Sequence, residues 1–348
     1  MKRLSFLLGA AAAIALSTAA NAAEKPRWAL VIHGGAGIIE RKDMDAATEA
    51  AYRKAMDAAV ARGSAVLAKG GTSLDAIEAV ITGMEDDPLF NAGRGAVFTA
   101  DGRNELDAAI MDGSNLKAGA VAGVTRTRHP ILLARAVMDK SPHVMMIGQG
   151  AETFGQTQGL EQVPPSFFFT QRRWDQLEKE LTKRGDPIPA KPAGAVAEAA
   201  DAPKPDDHRF GTVGVVALDA KGNIAAGTST GGTTGKRWNR VGDSPIIGAG
   251  NYAANDSCAV SGTGTGEYFI RLTVAREICA LVQYKGMKLQ AAADEVIQKR
   301  LTALGGDGGI IAIAPDGQMA WSFNTSGMYR AMAADGVAPV ISIFKDER

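Results

Sequence analysis

The chain has 348 residues, of which 46% are hydrophobic and 22% are charged, a balance typical of a globular protein with a substantial core. Its 38 Lys and Arg residues match its 38 Asp and Glu residues, so no general attraction to nucleic acid or to an anionic membrane is expected. The 41 glycines indicate many tight turns and close backbone approaches.

The segment 1–22 has the pattern of an export signal. Lys2 and Arg3 precede an apolar run, and Ala20-Asn21-Ala22 matches the small-residue site at which such signals are cleaved. The run is short and rich in alanine, and polar sequence follows it at once, which favours a cleaved signal over a membrane anchor. We predict export to a bacterial periplasm and a mature protein that has no contact with the membrane.

The first half of the chain alternates predicted strands and helices. Hydrophobic periodicity predicts, in chain order, a strand at Trp28–His33, a helix at Met44–Lys69, a helix with Ser73 as its N-cap, a β-hairpin that turns at Asp101-Gly102, a strand at 118–124, a helix that begins at Pro130, and a buried strand at 143–148. A charged helical stretch, "TQRRWDQLEKELTKRG", follows.

One low-complexity segment, Gly185–Asp207, separates the two halves and is predicted to be a mobile surface linker, because it is rich in Pro, Ala and charge. After it, the pattern predicts strands at Thr212–Leu218, Ile224–Thr228, 244–250 and 258–264, helices at Gly266–Tyr284 and Leu289–Ala303, and strands at 308–314, 319–324 and 339–344. Two domains and a single layered body cut by a flexible insert fit this order equally well.

Neither the cysteines nor the histidines indicate a catalytic metal. The four histidines are scattered, without the spacing of a ligand set. Export would permit a disulfide between Cys258 and Cys279, whereas their apolar surroundings are typical of buried free thiols. Both states of the cysteines stay open.

Two stretches could bind a small molecule. Arg240 and Asp243, next to several hydroxyls, could hold the carboxylate and the ammonium of an α-amino acid, although a surface ion pair is the commoner meaning of this spacing. The stretch "SGTGTGE" fails the dinucleotide fingerprint because Glu267 stands at its third glycine. Its backbone N–H groups and Thr hydroxyls could still stabilise an oxyanion.

Thr212 is a candidate nucleophile. If the chain cuts itself between Gly211 and Thr212, the new α-amine, with a pKa of roughly 7.7–8.0, can take the proton of the Thr212 hydroxyl. No Ser-His-Asp motif competes for this role. The alternative is that Thr212 is simply the first residue of a strand.

Many motifs, in order from about Trp28 to Tyr329, resemble the isoaspartyl peptidase/plant-type L-asparaginase family of Ntn-hydrolases, which are threonine peptidases. The resemblance rests mainly on "HGGAG" (33–37), "PLFNAGRGAVFT" (88–99), "GTVGVVALD" (211–219), "TSTGG" (228–232), "RVGDSPIIGAG" (240–250), "SGTGTGE" (261–267) and "FNTSGMYRA" (323–331).

The resemblance implies an α+β fold, a four-layer αββα sandwich that forms one domain. It implies autocatalytic cleavage of a precursor into an α subunit, 23–211, and a β subunit, 212–348, and a dimer of processed αβ heterodimers. The implied substrates are L-asparagine and β-aspartyl dipeptides, and catalysis needs no cofactor.

The resemblance also implies roles for single residues. Thr212 is the nucleophile, Thr230 hydrogen-bonds it, and the Thr263 hydroxyl and the Gly264 N–H form the oxyanion hole. Substrate is bound by Arg240, Asp243, Gly264, Gly266 and Asn91. A structural sodium ion is bound by the backbone carbonyls of Met84, Glu85, Asp87, Phe90, Ala92 and Arg94.

The chain departs from the family pattern beside the expected substrate. Gly235 replaces an asparagine, and Trp238-Asn239 precedes Arg240. Two other functions remain under consideration: a glycosylasparaginase of the same fold, and a non-catalytic periplasmic amino-acid binding protein that uses Arg240 and Asp243 alone.

Overall fold

The structure is a computed structural model that describes residues 25–196 and 211–347. The predicted signal peptide, residues 197–207 of the predicted linker and the three residues that follow the linker lie outside this part of the chain. Residues 185–196, the described part of the linker, form no helix or strand. In the described ranges, no helix combines the length and the apolar character needed to cross a bilayer.

The described residues form twelve strands and nine α-helices. The strands are β1 (Ala29–Gly37), β2 (Leu106–Asp112), β3 (Ala118–Val124), β4 (Met145–Ile147), β5 (Val213–Leu218), β6 (Ile224–Thr230), β7 (Asn251–Ala253), β8 (Ala259–Gly264), β9 (Gly308–Ile313), β10 (Met319–Phe323), β11 (Gly327–Ala334) and β12 (Val337–Phe344). The helices are α1 (Ala46–Ala68), α2 (Ser73–Glu85), α3 (Pro130–Lys140), α4 (Gly148–Thr157), α5 (Gln171–Arg184), α6 (Gly266–Leu272), α7 (Val274–Lys285), α8 (Leu289–Asp294) and α9 (Thr302–Leu304), with a π-helical segment, Glu295–Leu301, between the last two.

Two sheets organise these elements. The large sheet has the order β12-β11-β1-β5-β6-β2-β3-β4, and its strands are antiparallel except for the pair β3 and β4. The small sheet has the order β10-β9-β8-β7. In the large sheet, β5 and β6 lie between β1 and β2, so strands from both sides of the linker form one continuous hydrogen-bonded layer.

The sheets stack between two layers of helices. Alternate residues of the large sheet, such as Leu30 and Val215, pack with α1, α2 and α3. The intervening residues, such as Val31, face the small sheet, whose Ile311 belongs to the same cluster. The other face of the small sheet packs with α7 and α8. This confirms the predicted four-layer αββα sandwich.

Several predicted boundaries are wrong for local reasons. Thr72, not Ser73, caps α2, because the Thr72 side chain accepts from the Asp75 N–H while Asp75 accepts from the Thr72 N–H. The N–H of Ser73 instead donates to Asp219. The predicted helix Gly266–Tyr284 is two helices, since Thr273 has a φ of +47° and interrupts the backbone ladder.

Two predicted strands are absent from the described residues and one is misjudged. A tight turn exists at Gly102, but residues 97–99 cannot pair with β2 because β3 and β6 occupy both of its edges. Residues 244–250 are turns in which the Asp243 carbonyl accepts from Ile246 and Gly250. The strand expected to be buried at 143–148 is the edge strand β4, whose Ile147 is 67% exposed. Neither β11 nor α4 was predicted.

Cys258 and Cys279 form a disulfide, with Cα atoms 5.2 Å apart, which resolves the question that the sequence left open. The bond joins the residue before β8 to α7, inside the apolar layer between the small sheet and its helices. It therefore fastens the strand that carries Thr263 and Gly264 to the helix layer behind it.

Replacing both cysteines with alanine is expected to lower the free energy of unfolding by about 3 kcal/mol, because the bond closes a loop with a sequence separation of 21 residues. Urea denaturation of the parent and of the double variant measures this change. The parent, unfolded with and without reductant, is the control. Equal midpoints for all three samples would contradict the stabilising role of the disulfide.

Candidate active site

Thr212 directly precedes β5, in the interior of the large sheet, and is 7% exposed. Its Oγ1 donates to Oγ1 of Thr230 on the neighbouring strand β6, at 3.1 Å. Thr230 Oγ1 also accepts from the Gly232 N–H at 3.0 Å. These two bonds fix the orientation of the Thr212 hydroxyl.

Asn91 lies beside the bond that precedes Thr212. The Gly211 carbonyl accepts from the Asn91 N–H at 3.3 Å, and a side chain at 211 would have its Cβ 2.9 Å from Asn91 Cβ. The Asn91 side chain bonds to the Gly232 carbonyl and to the Val97 N–H. Asn91 is thus placed against the predicted cleavage site rather than in the cavity described next.

A small cavity collects most of the predicted site residues. Its lining residues come from the residue before β5, from the end of β6 and the turn after it, from the loop before β7 and from the end of β8. They are Thr212, Thr230, Gly232, Thr233, Arg240, Gly242, Asp243, Ser244 and Gly264. The sequence analysis did not identify Thr233 or Ser244. Thr233 directly follows the motif "TSTGG", and Ser244 directly follows Asp243, so their positions beside predicted residues were the available signal.

Arg240 is held on one side by Glu267, which the sequence had not identified as a partner. The Nε and Nη2 groups of Arg240 donate to the two carboxylate oxygens of Glu267, each at 2.8 Å. These bonds lower the pKa of Glu267. A Cβ added at Gly242 would lie 2.8 Å from Arg240 Nη1, so glycine leaves the space that this group occupies.

The carboxyl group of Asp243 is buried, and its hydrogen-bonding capacity is only partly used. Asp243 is 4% exposed, and within the described part of the chain its Oδ2 has no hydrogen-bond partner. Burial raises the pKa of Asp243 to about 7, against the opposing effect of the Arg240 charge. A Cβ at Gly266 would lie 3.0 Å from Asp243 Oδ1 and 2.9 Å from Arg240 Nη2, so Gly266 packs against both groups. A cation at Oδ2 would relieve the cost of this burial.

The two predicted oxyanion groups lie at the end of β8. Gly264 lines the cavity, and a Cβ there would be 2.4 Å from the Asp307 carbonyl oxygen. Thr263 is fully buried and is not among the lining residues; its Oγ1 accepts from the Ala36 N–H at 3.4 Å. Because that bond uses a lone pair, the Thr263 hydroxyl proton stays free to donate.

The loop after α2 offers backbone oxygens rather than side chains. Glu85 is turned into the core, where it accepts from Ser229 and the Ile131 N–H, and its burial raises its pKa. A Cβ at Gly93 would lie 2.2 Å from the Glu85 carbonyl oxygen, and one at Gly95 would lie 2.0 Å from that of Phe90. In the described residues, no three His, Cys, Asp or Glu side chains group as metal ligands.

The segment 235–239, which departs from the family pattern, is a loop that is buried at Gly235 and Lys236 and exposed at Trp238 and Asn239, just before Arg240. Gly235, Trp238 and Asn239 all have positive φ angles, of 68°, 56° and 57°. Trp238 is 92% exposed, and Arg237 forms an ion pair with Asp186. The loop therefore presents an indole to solvent two residues before Arg240.

Comparison with known proteins gives a consistent result. The asparaginase family model matches residues 26–343. The chain is 49% identical over 319 residues to an isoaspartyl peptidase from Escherichia coli, covering 91% of this chain and 96% of that protein. It is 39% identical over 308 residues to an isoaspartyl peptidase/L-asparaginase from Homo sapiens, covering 88% of this chain and 93% of that protein.

Proposed function

Since the chain belongs to the asparaginase family, we propose that it is an isoaspartyl peptidase and L-asparaginase with Thr212 as its nucleophile. One observation carries the proposal: the oriented Thr212 hydroxyl shares a cavity with Arg240 and with the buried carboxyl group of Asp243. A hydroxyl nucleophile next to sites for a carboxylate and an ammonium is what hydrolysis at the side chain of an aspartyl residue needs.

The precursor must first release the amine of Thr212, which is part of the peptide bond to Gly211 in the uncut chain. In our proposal, Thr212 Oγ1 attacks the Gly211 carbonyl carbon, the C–N bond breaks as the amine takes a proton, and water hydrolyses the resulting ester. The Asn91 N–H, bonded to the Gly211 oxygen, would stabilise the charge that develops there.

In the mature protein, the α-amine of Thr212 would act as the base for its own hydroxyl. The hydroxyl oxygen attacks the side-chain carbonyl of the substrate, and ammonia or the amino group of the second residue leaves with the transferred proton. The Thr263 hydroxyl and the Gly264 N–H would stabilise the oxyanion. Water then hydrolyses the β-aspartyl ester and restores Thr212.

Arg240 and Asp243 would bind the two charged groups of the substrate. Arg240 Nη1 remains beside Gly242 when Glu267 holds the other edge of the guanidinium, and the α-carboxylate would bind there. The α-ammonium would bind the carboxylate of Asp243, with the Gly264 and Gly266 backbones close by. These contacts involve only the aspartyl part, so both L-asparagine and β-aspartyl dipeptides satisfy them.

Three wider expectations belong to the same proposal. The carbonyls of Met84, Glu85, Asp87, Phe90, Ala92 and Arg94 would bind a structural sodium ion, in support of which the Gly93 and Gly95 positions leave room around the oxygens of Glu85 and Phe90. Export to the periplasm agrees with the disulfide. Two processed αβ heterodimers would form the dimer.

A panel of three substrates tests the proposed function. We expect the purified protein to hydrolyse L-asparagine and β-aspartyl-leucine faster than an N-glycosylated asparagine. The reverse order would favour a glycosylasparaginase. An uncut chain that binds aspartate without turnover would instead support the binding protein.

The affinity of the site for an amino acid is expected to depend on pH through Asp243. Below the pKa of about 7, the carboxyl takes up a proton and loses its attraction for an ammonium. The inhibition constant of L-alanine, which has no side-chain carbonyl, should rise about tenfold from pH 8 to pH 6, because one carboxyl in about ten is ionised one unit below its pKa. An Asp243→Asn variant is the reference, because it keeps the Thr212 amine, which also titrates in this range, and lacks only the carboxyl. Equal pH dependence in the parent and in this variant would contradict the assignment of Asp243.

A further inference from the structure

His33, on β1, is fully buried next to the nucleophile and has no part in the chemistry proposed above. Its Nδ1 lies 3.0 Å from the Thr212 carbonyl oxygen, and its Nε2 lies 3.1 Å from Ser261 Oγ. A carbonyl oxygen can only accept, so the partners assign the ring proton to Nδ1, and Nε2 accepts from the Ser261 hydroxyl. Burial lowers the pKa of His33 to about 3, which agrees with a neutral ring.

The hydrogen bonds continue beyond Ser261 in one direction. Ser261 Oγ is 2.8 Å from Thr228 Oγ1, and Asn251 Nδ2 is 3.1 Å from the same Thr228 oxygen. Because Ser261 gives its proton to His33, Thr228 donates to Ser261 at 2.8 Å in preference to the Gly250 carbonyl at 3.3 Å, and the Asn251 amide donates to Thr228. We call this set, Asn251, Thr228, Ser261 and His33, the inter-sheet chain. Aligned bonds of this kind polarise and strengthen one another.

The contact between His33 and Ser261 requires a glycine at position 214. Gly214 is paired with His33 across β1 and β5. A Cβ at this position would lie 2.0 Å from Ser261 Oγ and 2.2 Å from His33 Nε2. Any other residue in the interior of this strand would therefore displace the two side chains, and only glycine leaves them in contact.

The inter-sheet chain connects the strands that carry the reactive hydroxyls. Thr228 lies two residues before Thr230 on β6, and Ser261 lies two residues before Thr263 on β8, so each faces the same side as its successor. At its other end, His33 bonds the carbonyl of Thr212 itself. The inter-sheet chain thus joins the nucleophile, β6 and β8 across the space between the sheets.

We propose that His33 and Ser261 are positioning residues, which hold the Thr212 carbonyl and fix Thr230 and Thr263 relative to the nucleophile. This inference rests on the proposed function, in which those three hydroxyls act together. A displacement of about 1 Å in such a group can reduce the rate by about 10²-fold.

Steady-state kinetics of the mature protein with L-asparagine test the inference. His33→Leu should lower kcat by about 10- to 100-fold and leave KM within about threefold, because Arg240 and Asp243 do not contact His33. His33→Asn, whose amide can donate to the Thr212 carbonyl, should recover most of the lost kcat. Ser261→Ala should lower kcat by about 3- to 10-fold, and it serves as the test if His33→Leu does not fold.

Val31→Ala is the matched control, because Val31 precedes His33 by two residues on the same face of β1 and belongs to the apolar cluster between the sheets. An equal loss of kcat in Val31→Ala and His33→Leu would show a merely structural role and overturn the inference. A parent that hydrolyses neither L-asparagine nor β-aspartyl-leucine contradicts the proposed function. An active parent with an unchanged His33→Leu variant contradicts this inference alone.

Nitrogen NMR of protein labelled in its four histidines gives a readout that does not depend on activity. The His33 signals are identified as those missing from the His33→Asn spectrum. At pH 7 we expect a protonated Nδ1 and an unprotonated Nε2. The opposite tautomer, or a doubly protonated ring, would overturn the inter-sheet chain as described.

Discussion

Thr212→Ala is expected to remain a single uncut chain and to lose hydrolysis of L-asparagine by at least about 10⁴-fold, the scale seen when a catalytic nucleophile is removed. Alanine has no hydroxyl to attack the Gly211 carbonyl, so neither the self-cut nor the acyl transfer can occur. Denaturing electrophoresis reports the cut, and release of ammonia reports the hydrolysis. Cleaved and active Thr212→Ala would show that another residue is the nucleophile.

Thr212→Ser is the matched control, since serine keeps the hydroxyl and, after the cut, the α-amine. We expect this variant to cleave and to keep hydrolysis within about 10²-fold of the parent. The missing methyl group loosens the orientation of the hydroxyl toward Thr230, which is why some loss is expected. If both variants are inactive but Thr212→Ser still cuts itself, the hydroxyl at position 212 suffices for activation but not for turnover.

Arg240→Ala is expected to lower kcat/KM for L-asparagine by about 10²- to 10³-fold, because loss of one partner of a buried, hydrogen-bonded charge pair costs about 2–5 kcal/mol. The substrate carboxylate would lose its partner, and Glu267 would lose the group that it orients. The self-cut should continue, since the bonds at Gly211 and Thr212 are made by Asn91 and Thr230.

Arg237→Ala controls for the loss of a positive charge from the same loop. Arg237 pairs with Asp186 instead of lining the cavity, so its replacement should change kcat/KM by less than about threefold. Arg240→Lys should stay impaired, because a lysine cannot reproduce the two parallel bonds to Glu267. Near-parent activity in Arg240→Ala would exclude Arg240 as the carboxylate partner.

The parts of the fold that follow from short-range patterns were predictable. The apolar stripe of α1 and the continuous hydrophobic run of β1 express the local periods of helix and buried strand. Strand partners were not predictable from local pattern, because β2 pairs on one edge with the next strand, β3, and on the other with β6, which is distant in sequence, rather than with residues 97–99. The edge position of β4 was not predictable either, because its apolar residues resemble those of a buried strand and only the sheet order places it at the edge.

The candidate site divides in the same way. The chemistry of Arg240 and Asp243 was readable from their types and their spacing, and the structure brings both to one cavity with Thr212. Glu267 was not recognisable as the partner of Arg240, because 27 residues separate them and only the folded structure brings their side chains together. His33 lacked any motif for a base, and its role emerges only when β1 lies beside Thr212.

The intact mass of the purified parent, after incubation at neutral pH, tests most directly whether Thr212 becomes an N-terminal nucleophile. The account predicts two polypeptides that meet between Gly211 and Thr212, with hydrolysis of L-asparagine appearing as they form. A single chain that still contains this bond and nevertheless hydrolyses L-asparagine would contradict it.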